Sequence, residues 1–359
     1  PGPHAFSHPH WQLGLHSYDN YDNDYLVCSW AEDQVWHIGT VRIDNGMAEE
    51  WATGWWPIGN VAAADGRVVF LADSATHTPA IIEVSRGKTK VLRPSSEAEV
   101  PTALVSTAEM ISWKTSDGEE AHGFYYAPVN PDYEAPEGEL PPLIVNVHGG
   151  PTSSVRPGLQ VPFQYWTSRG FAVLDVNYRG STSFGRAYRE RLNGNWGVMD
   201  VQDCVDGAQY LIDLGRVDPT RVAIRGRSSG GFAVLNALAS SEVFTAGASF
   251  FGIADCPRRL TSSSRTTTAS CWAPTTCRIR CGLIARRLTA SRTSRLRCCC
   301  CREPMTRSCP PSRPRRCTRR CARSATLSPS SSTRVRATAS VRLRTSRTPC
   351  SRSCPSTAP

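Results

Sequence analysis

Six consecutive residues, Gly226-Arg227-Ser228-Ser229-Gly230-Gly231, set one serine between glycines in the pattern Gly-x-Ser-x-Gly. That is the spacing of a nucleophile elbow, where a serine occupies a strained strand-to-helix turn and holds its hydroxyl clear of the sheet edge. Only small neighbours fit such a turn. The chemistry it suits is acyl transfer, with Ser228 attacking a carbonyl carbon. Taken alone the pattern is weak, since glycine and serine are common and a glycine-rich turn before a helix is often only a turn. Its flanks give the context an elbow needs: Val222-Ala223-Ile224 reads as a short buried strand, and Phe232 through Leu238 as a helix.

A serine hydroxyl is a poor nucleophile until a histidine takes its proton, and a carboxylate must orient that histidine. Where the nucleophile sits on such an elbow, the aspartate and then the histidine follow it in the chain. All eight histidines of this chain precede Ser228. The chain as written therefore lacks the base in its expected place.

Composition shows where the break lies. The whole chain has 359 residues, a formal charge of +10 and 15 cysteines, which taken together suggest a basic, cysteine-rich protein. Divided after Asp255 it gives two unlike parts. Residues 256–359 hold 24 arginines, no lysine or histidine, one acidic residue (Glu303) and 13 cysteines, whereas residues 1–255 hold 17 basic and 30 acidic residues, a net charge of −13, with only Cys28 and Cys204. The first part reads as an ordinary acidic protein of a reducing compartment, and a cytoplasmic location is expected.

The second part has neither helical nor strand periodicity, and runs such as Cys298-Cys299-Cys300-Cys301 suit no packed core, so disorder is expected there. Three accounts compete. An arginine/serine-rich RNA-binding tail explains the charge, but the Arg-Ser dipeptides do not repeat and the cysteines are unexplained. A metal or disulfide framework explains the cysteines, but four in a row cannot wrap a tetrahedral ion as spaced pairs do. A shifted reading frame explains both. If the first two bases of each codon are the last two of the true one, each cysteine stands for leucine, methionine or valine, and each threonine for tyrosine, histidine, asparagine or aspartate. Residues 302–310 then restore Gln-Gly-Thr-Asp-Asp-Glu-Val-Val-Pro and residues 333–340 restore Asp-Glu-Gly-Glu-Gly-His-Gly-Phe. Thr306 falls where a catalytic aspartate belongs and Thr338 where the histidine belongs.

The elements that must position Ser228 are legible upstream. Leu143 to Val147 is a continuous apolar run, suited to a strand covered on both faces. Phe171 to Val176 is a second strand, and Val205 to Leu214 reads as a helix with Ala208 and Leu211 on its apolar side. In the first hundred residues, Tyr25–Trp30, Val35–Val41, Val68–Ala72 and Ala80–Val84 are short strand candidates separated by Asp, Asn and Gly turns.

Residues from about 105 to 255 resemble the catalytic domain of the prolyl oligopeptidase family of serine peptidases, especially its dipeptidyl aminopeptidase and acylaminoacyl-peptidase branch. The resemblance rests on Pro142 through Pro151, which ends in His148-Gly149-Gly150-Pro151, on Tyr165 through Val173, on Asn177-Tyr178-Arg179-Gly180-Ser181-Thr182, on Trp196-Gly197, on Asp200 through Asp203, and on the elbow. It implies an α/β-hydrolase fold, incomplete here, preceded by β strands of a partial β-propeller. It also implies hydrolysis of short peptides through an acyl-enzyme on Ser228. The oxyanion contacts it implies are the backbone N–H of Ser229 and the Gly149 loop; read without the resemblance, Gly149 and Gly150 are equally a simple chain turn. Relatives often carry a small residue where Arg227 stands, a cation that either crowds the pocket, favours an acidic substrate group, or lies idle on the surface.

The expected organisation is a partial propeller of about two blades over residues 1–104, part of the peptidase domain over 105–255, and the Arg/Ser/Cys-rich segment over 256–359. A small all-β domain unrelated to a propeller is the other reading of the first segment. A closed propeller needs four or more blades and the chain begins with Pro1 rather than methionine, so a fragment is expected. Without the last strands of the sheet, the strand leading into Ser228 is expected to present an exposed apolar edge. His4, His8 and His10 form a loose terminal cluster, read as solvent-facing rather than metal-binding. No cofactor, metal, nucleic-acid partner or membrane span is expected, and no stretch of eighteen apolar residues occurs. An esterase and an inactive hydrolase-like binding protein are the alternatives.

Overall fold

The computed structural model describes residues 5, 6, 8, 13–32, 34–97 and 99–252, all within one compact unit, Pro1–Arg302. The expectations for residues 256–359, including Thr306 and Thr338, lie outside the described residues, as do those for His4 and His10.

Two four-stranded antiparallel sheets come first. One is built from β1 (Tyr18–Asn20), β2 (Tyr25–Glu32), β3 (Val35–Arg42) and β4 (Ala48–Glu50), the other from β5 (Trp56–Ala64), β6 (Arg67–Asp73), β7 (Ala80–Ser85) and β8 (Lys88–Pro94), each in simple sequential order. Alternation explains their shared core: in β6, Val68, Phe70 and Ala72 point one way and pack with Val27 and Ile38 of the first sheet. Lys88 to Pro94 is exposed along its whole length, and its lysines and arginine suit an open strand edge. The sequential up-and-down order is that of propeller blades.

The third sheet has six strands in the order β14-β13-β11-β12-β10-β9, with β9 (Glu109–Lys114), β10 (Glu120–Tyr126), β11 (Leu143–Val147), β12 (Ala172–Asn177), β13 (Val222–Arg227) and β14 (Ala246–Phe250). The pairings among β11 to β14 are parallel, while β10 pairs antiparallel with β9 and β12. Four helices connect or cover them: α1 (Val161–Thr167), α2 (Gly185–Glu190), α3 (Met199–Asp213) and α4 (Ser229–Ser240). In α3, Val201, Cys204, Ala208 and Leu211 form an apolar stripe at helical spacing. That stripe, with Ala233, Val234 and Ala237 of α4, packs on Leu143, Val145, Leu174 and Ile224. Each fully buried Val, Leu or Ile among them stabilises the fold by about 1.5–3 kcal/mol. The opposite face carries Phe124, Tyr126, Ile144 and Val173 against Phe163 of α1. The fold is an α/β-hydrolase sheet preceded by propeller-type β sheets.

One expectation needs correction. The strand leading into Ser228 is not the outer strand: β14 pairs with β13 in parallel from Ala223↔Ala246 to Arg227↔Phe250. Among the described residues the outer position belongs to β14, where Phe250 is half exposed. The sequence pattern of Ala246-Gly247-Ala248-Ser249-Phe250 is short and small-residue-rich, which hid it as a strand.

Candidate active site

Ser228 sits between β13 and α4 with φ 56° and ψ −116°, a left-handed φ that a non-glycine residue adopts only when the surroundings enforce it. Here they do. Its amide donates to the Phe250 carbonyl at 2.9 Å, its carbonyl accepts the Phe232 amide at 3.0 Å, and the side chain is left exposed. No described residue hydrogen-bonds its Oγ.

The flanking glycines are required by close approach. A Cβ on Gly230 would lie 2.1 Å from the Val147 carbonyl oxygen, and one on Gly226 would lie 2.5 Å from the Gly230 oxygen. At Gly149 a Cβ would meet the Arg227 oxygen at 2.8 Å and Ser228 Cβ at 3.5 Å. The Gly149 loop therefore lies directly against the elbow. The reason is topological: β11 and β13 are parallel neighbours, with Val147 opposite Gly226, so the loops leaving their carboxyl ends meet. Ser229 opens α4, where an N–H has no partner within the helix and the helix dipole is positive. Its side chain is buried and Oγ has no partner among the described residues.

His148 is engaged elsewhere. Its Nε2 pairs with Ser181 Oγ at 2.8 Å, its Nδ1 lies 2.8 Å from the Gly149 carbonyl oxygen, and its ring stacks on Tyr178 with centroids 4.2 Å apart. Tyr178 Oη also donates to the Pro151 carbonyl at 3.1 Å. Burial lowers the imidazole pKa to about 4, against a weaker opposing effect of the Gly149 hydrogen bond, so the ring is neutral near pH 7. The histidine thus fastens the Gly149 loop to the strand end at Tyr178.

Below this lies a buried ion pair. Arg179, 1% exposed, directs Nε and Nη2 to Asp203 Oδ1 at 2.9 and 2.6 Å, and Nη1 to Asp117 Oδ2 at 2.7 Å; its backbone amide donates to Asp203 as well. Burial pushes the Asp203 carboxyl up to about 6, offset by the guanidinium. Asp200, fully buried, accepts the Gly197 amide at 2.6 Å on Oδ1, has no partner on Oδ2 among the described residues, and is pushed up to about 7 by burial. The motif residues 177–182 and 196–203 are therefore scaffold, a role the sequence did not spell out. Its readable signal is the pairing of an apolar strand with a terminal Tyr-Arg that no surface turn requires.

Arg227 is exposed, its guanidinium 5.6 Å from the exposed Phe251 ring. His8 does not face solvent: it stacks on Trp36 at 4.4 Å, and burial lowers its pKa to about 4. The indole surface beneath it decides this, which the terminal position concealed. No cluster of potential metal ligands occurs among the described residues, and no helix there is long and apolar enough to cross a membrane.

Residues 157–275 match the prolyl oligopeptidase family. The chain is 38% identical over 112 residues to dipeptidyl aminopeptidase BIII of Pseudoxanthomonas mexicana, covering 31% of this chain and 16% of the relative. It is 34% identical over 130 residues to the acylamino-acid-releasing enzyme of Arabidopsis thaliana, covering 33% and 17%. The structure of a Mycobacterium tuberculosis puromycin-hydrolyzing peptidase superposes with a TM-score of 0.69 at 36% identity, over 71% of this chain and 40% of that one. The matched part thus spans less than half of each of these proteins. The elbow, the Gly149 loop and the two preceding sheets accompany that match, so the chain is similar to the prolyl oligopeptidase family over part of the length of its members.

Proposed function

We propose that Ser228 is the nucleophile of a serine peptidase that cleaves short peptides through an acyl-enzyme. The observation that carries this reading is the exposed, left-handed Ser228 with the Gly149 backbone packed against it. In the proposed cycle Ser228 Oγ adds to the scissile carbonyl carbon as a base takes its proton. The Ser229 N–H and the Gly149 loop hold the oxyanion, the amine leaves with a proton, and water then releases the acyl group. This sequence needs no metal and no cofactor. Small peptide substrates are supported by two neighbours, one described as puromycin-hydrolyzing and one a puromycin hydrolase variant solved with PGG. The two sheets that precede the catalytic part favour a peptidase over an esterase. Cys28 and Cys204, both free and buried, agree with a reducing, cytoplasmic setting.

The base is the missing part. We place the triad aspartate and histidine at Thr306 and Thr338 in the restored reading frame, beyond the end of the family match at residue 275. Threonine titrates at neither position, so the chain as written is inactive apart from oxyanion-hole catalysis, which in intact enzymes reaches roughly 10³–10⁴ over water. An inactive scaffold is the second reading, favoured by the engagement of both ring nitrogens of His148, the histidine in this loop. A fluorophosphonate probe separates the two. Rapid labelling of the frame-restored protein, lost in Ser228→Ala, supports the peptidase; a restored protein that resists labelling while folded overturns it.

A further inference from the structure

Away from the elbow, a cleft of about 450 Å3 lies between the ends of β3, β5 and β6, lined by Trp36, Trp51, Trp55, Trp56, His77 and Glu50. Four indoles around one space are more than a surface patch needs, and their positions are fixed by the backbone. The Trp51–Trp55 turn is closed by the Thr53 amide donating to the Trp51 carbonyl at 2.8 Å, and by Thr53 Oγ1 accepting the Trp55 amide at 3.1 Å. His77, its Nδ1 paired with Ser74 Oγ and Thr76 Oγ1 at 3.1 and 2.9 Å, places its ring 5.4 Å from that of Trp55. His8 backs Trp36 in a near-parallel stack. The aromatic wall is thus preorganised, which lowers the entropy lost on binding.

Charge selects the ligand. The lining includes one carboxylate, Glu50, and no lysine or arginine; the Glu50 carboxylate is half exposed and pairs with His37 Nδ1 at 2.8 Å. Indole faces carry negative potential and attract cations, and a nearby carboxylate adds to that. The volume lies in the range that encloses small organic molecules. We infer that this cleft binds a small organic cation carrying its protonated amino group beside an aromatic ring. The site is separate from Ser228 chemistry, although Ser74 in its wall accepts the amide of Leu159, ten residues after Gly149, at 2.8 Å. Two sources present this chemistry, a free arylalkylamine and the first residue of an aromatic peptide.

The test is a fluorescence and calorimetric titration of the full chain with phenethylamine, a primary amine protonated near neutral pH. Its uncharged counterpart is 2-phenylethanol. Saturable binding of the amine, about tenfold weaker for the alcohol and about tenfold weaker in Glu50→Gln, is expected. Trp55→Phe, which keeps a ring in place, weakens binding less than Glu50→Gln, and thermal melts of both variants verify folding. The dipeptide Phe-Gly and its N-acetyl form identify the source: binding of Phe-Gly but not the acetylated form admits a peptide amino terminus, and binding of phenethylamine alone assigns a free amine. Equal affinity for amine and alcohol, no saturable binding, or an unchanged affinity in folded Glu50→Gln overturns the inference. Fluorophosphonate labelling of Ser228 reports on the peptidase reading separately, so either can fail without the other.

Discussion

Gly230 and Gly66 separate two uses of the same residue. A Cβ at position 230 collides with the Val147 carbonyl, a backbone atom of a central strand that cannot yield, whereas Gly66, at φ 71°, has nothing within 4 Å of the added atom. Gly230→Ala is expected to lower stability by more than about 4 kcal/mol or to prevent folding, and Gly66→Ala by about 1 kcal/mol, the strain of a positive φ alone. Urea denaturation of the two variants compares them directly. At the same scale, Asp200 gives a signed pH effect. Its folded pKa of about 7 exceeds the unfolded value near 4, so the folded state binds the extra proton and this carboxyl makes stability fall as pH rises from about 4 to about 7. Asp200→Asn keeps an acceptor for the Gly197 amide and removes the titration. Its stability relative to the parent chain is therefore expected to improve across that window and level off above it, which urea midpoints at several pH values measure. An advantage independent of pH rules out Asp200 as the source.

Among the elements, the segment leaving β12 and the helix α3 are joined by Arg179, and the two carboxylates it meets are not equivalent. Asp203 is fully buried and accepts three N–H groups, while Asp117, on the β9–β10 turn, is half exposed. Asp203→Asn is expected to cost about 3–5 kcal/mol because it strands a buried guanidinium, and Asp117→Asn no more than about 1 kcal/mol. A chemical denaturation series settles the order, and equal losses would mean that the guanidinium is held chiefly from the solvent side. Strands β11 and β12 were legible because parallel strands covered on both faces are continuous apolar runs. β9 was not, since Glu109-Met110-Ile111-Ser112-Trp113-Lys114 buries only two positions, Ile111 and Trp113, and so short an apolar signal does not stand out from a loop.

For the whole molecule, the abrupt change of composition after Asp255 leads to one expected outcome. A chain with its frame restored beyond that point, compared with the chain as written, is expected to hydrolyse a small peptide amide faster by three or more orders of magnitude, roughly the factor lost with a triad member. Steady-state hydrolysis by both forms, with Ser228→Ala of each as the blank, measures it. Equal rates would remove Thr306 and Thr338 from any account of the triad. Resequencing the codons for Ala254 to Trp272 decides independently whether the arginine- and cysteine-rich composition is the protein's own.

By itself the sequence determined the nucleophile candidate and its local turn, because small residues flanking a serine between an apolar run and a helix are a local steric requirement. It determined too that no histidine follows Ser228, since chain order needs no coordinates. Only the tertiary structure decided that Gly149, 79 residues earlier, reaches Ser228. That contact exists because β11 and β13 lie side by side in parallel, a pairing between distant segments that no local pattern encodes. The pairing of β14 with β13, the fastening of the Gly149 loop by His148, and the four tryptophans around one cleft were decided in the same way. Each depends on which apolar faces meet, and burial rather than sequence neighbourhood chooses that.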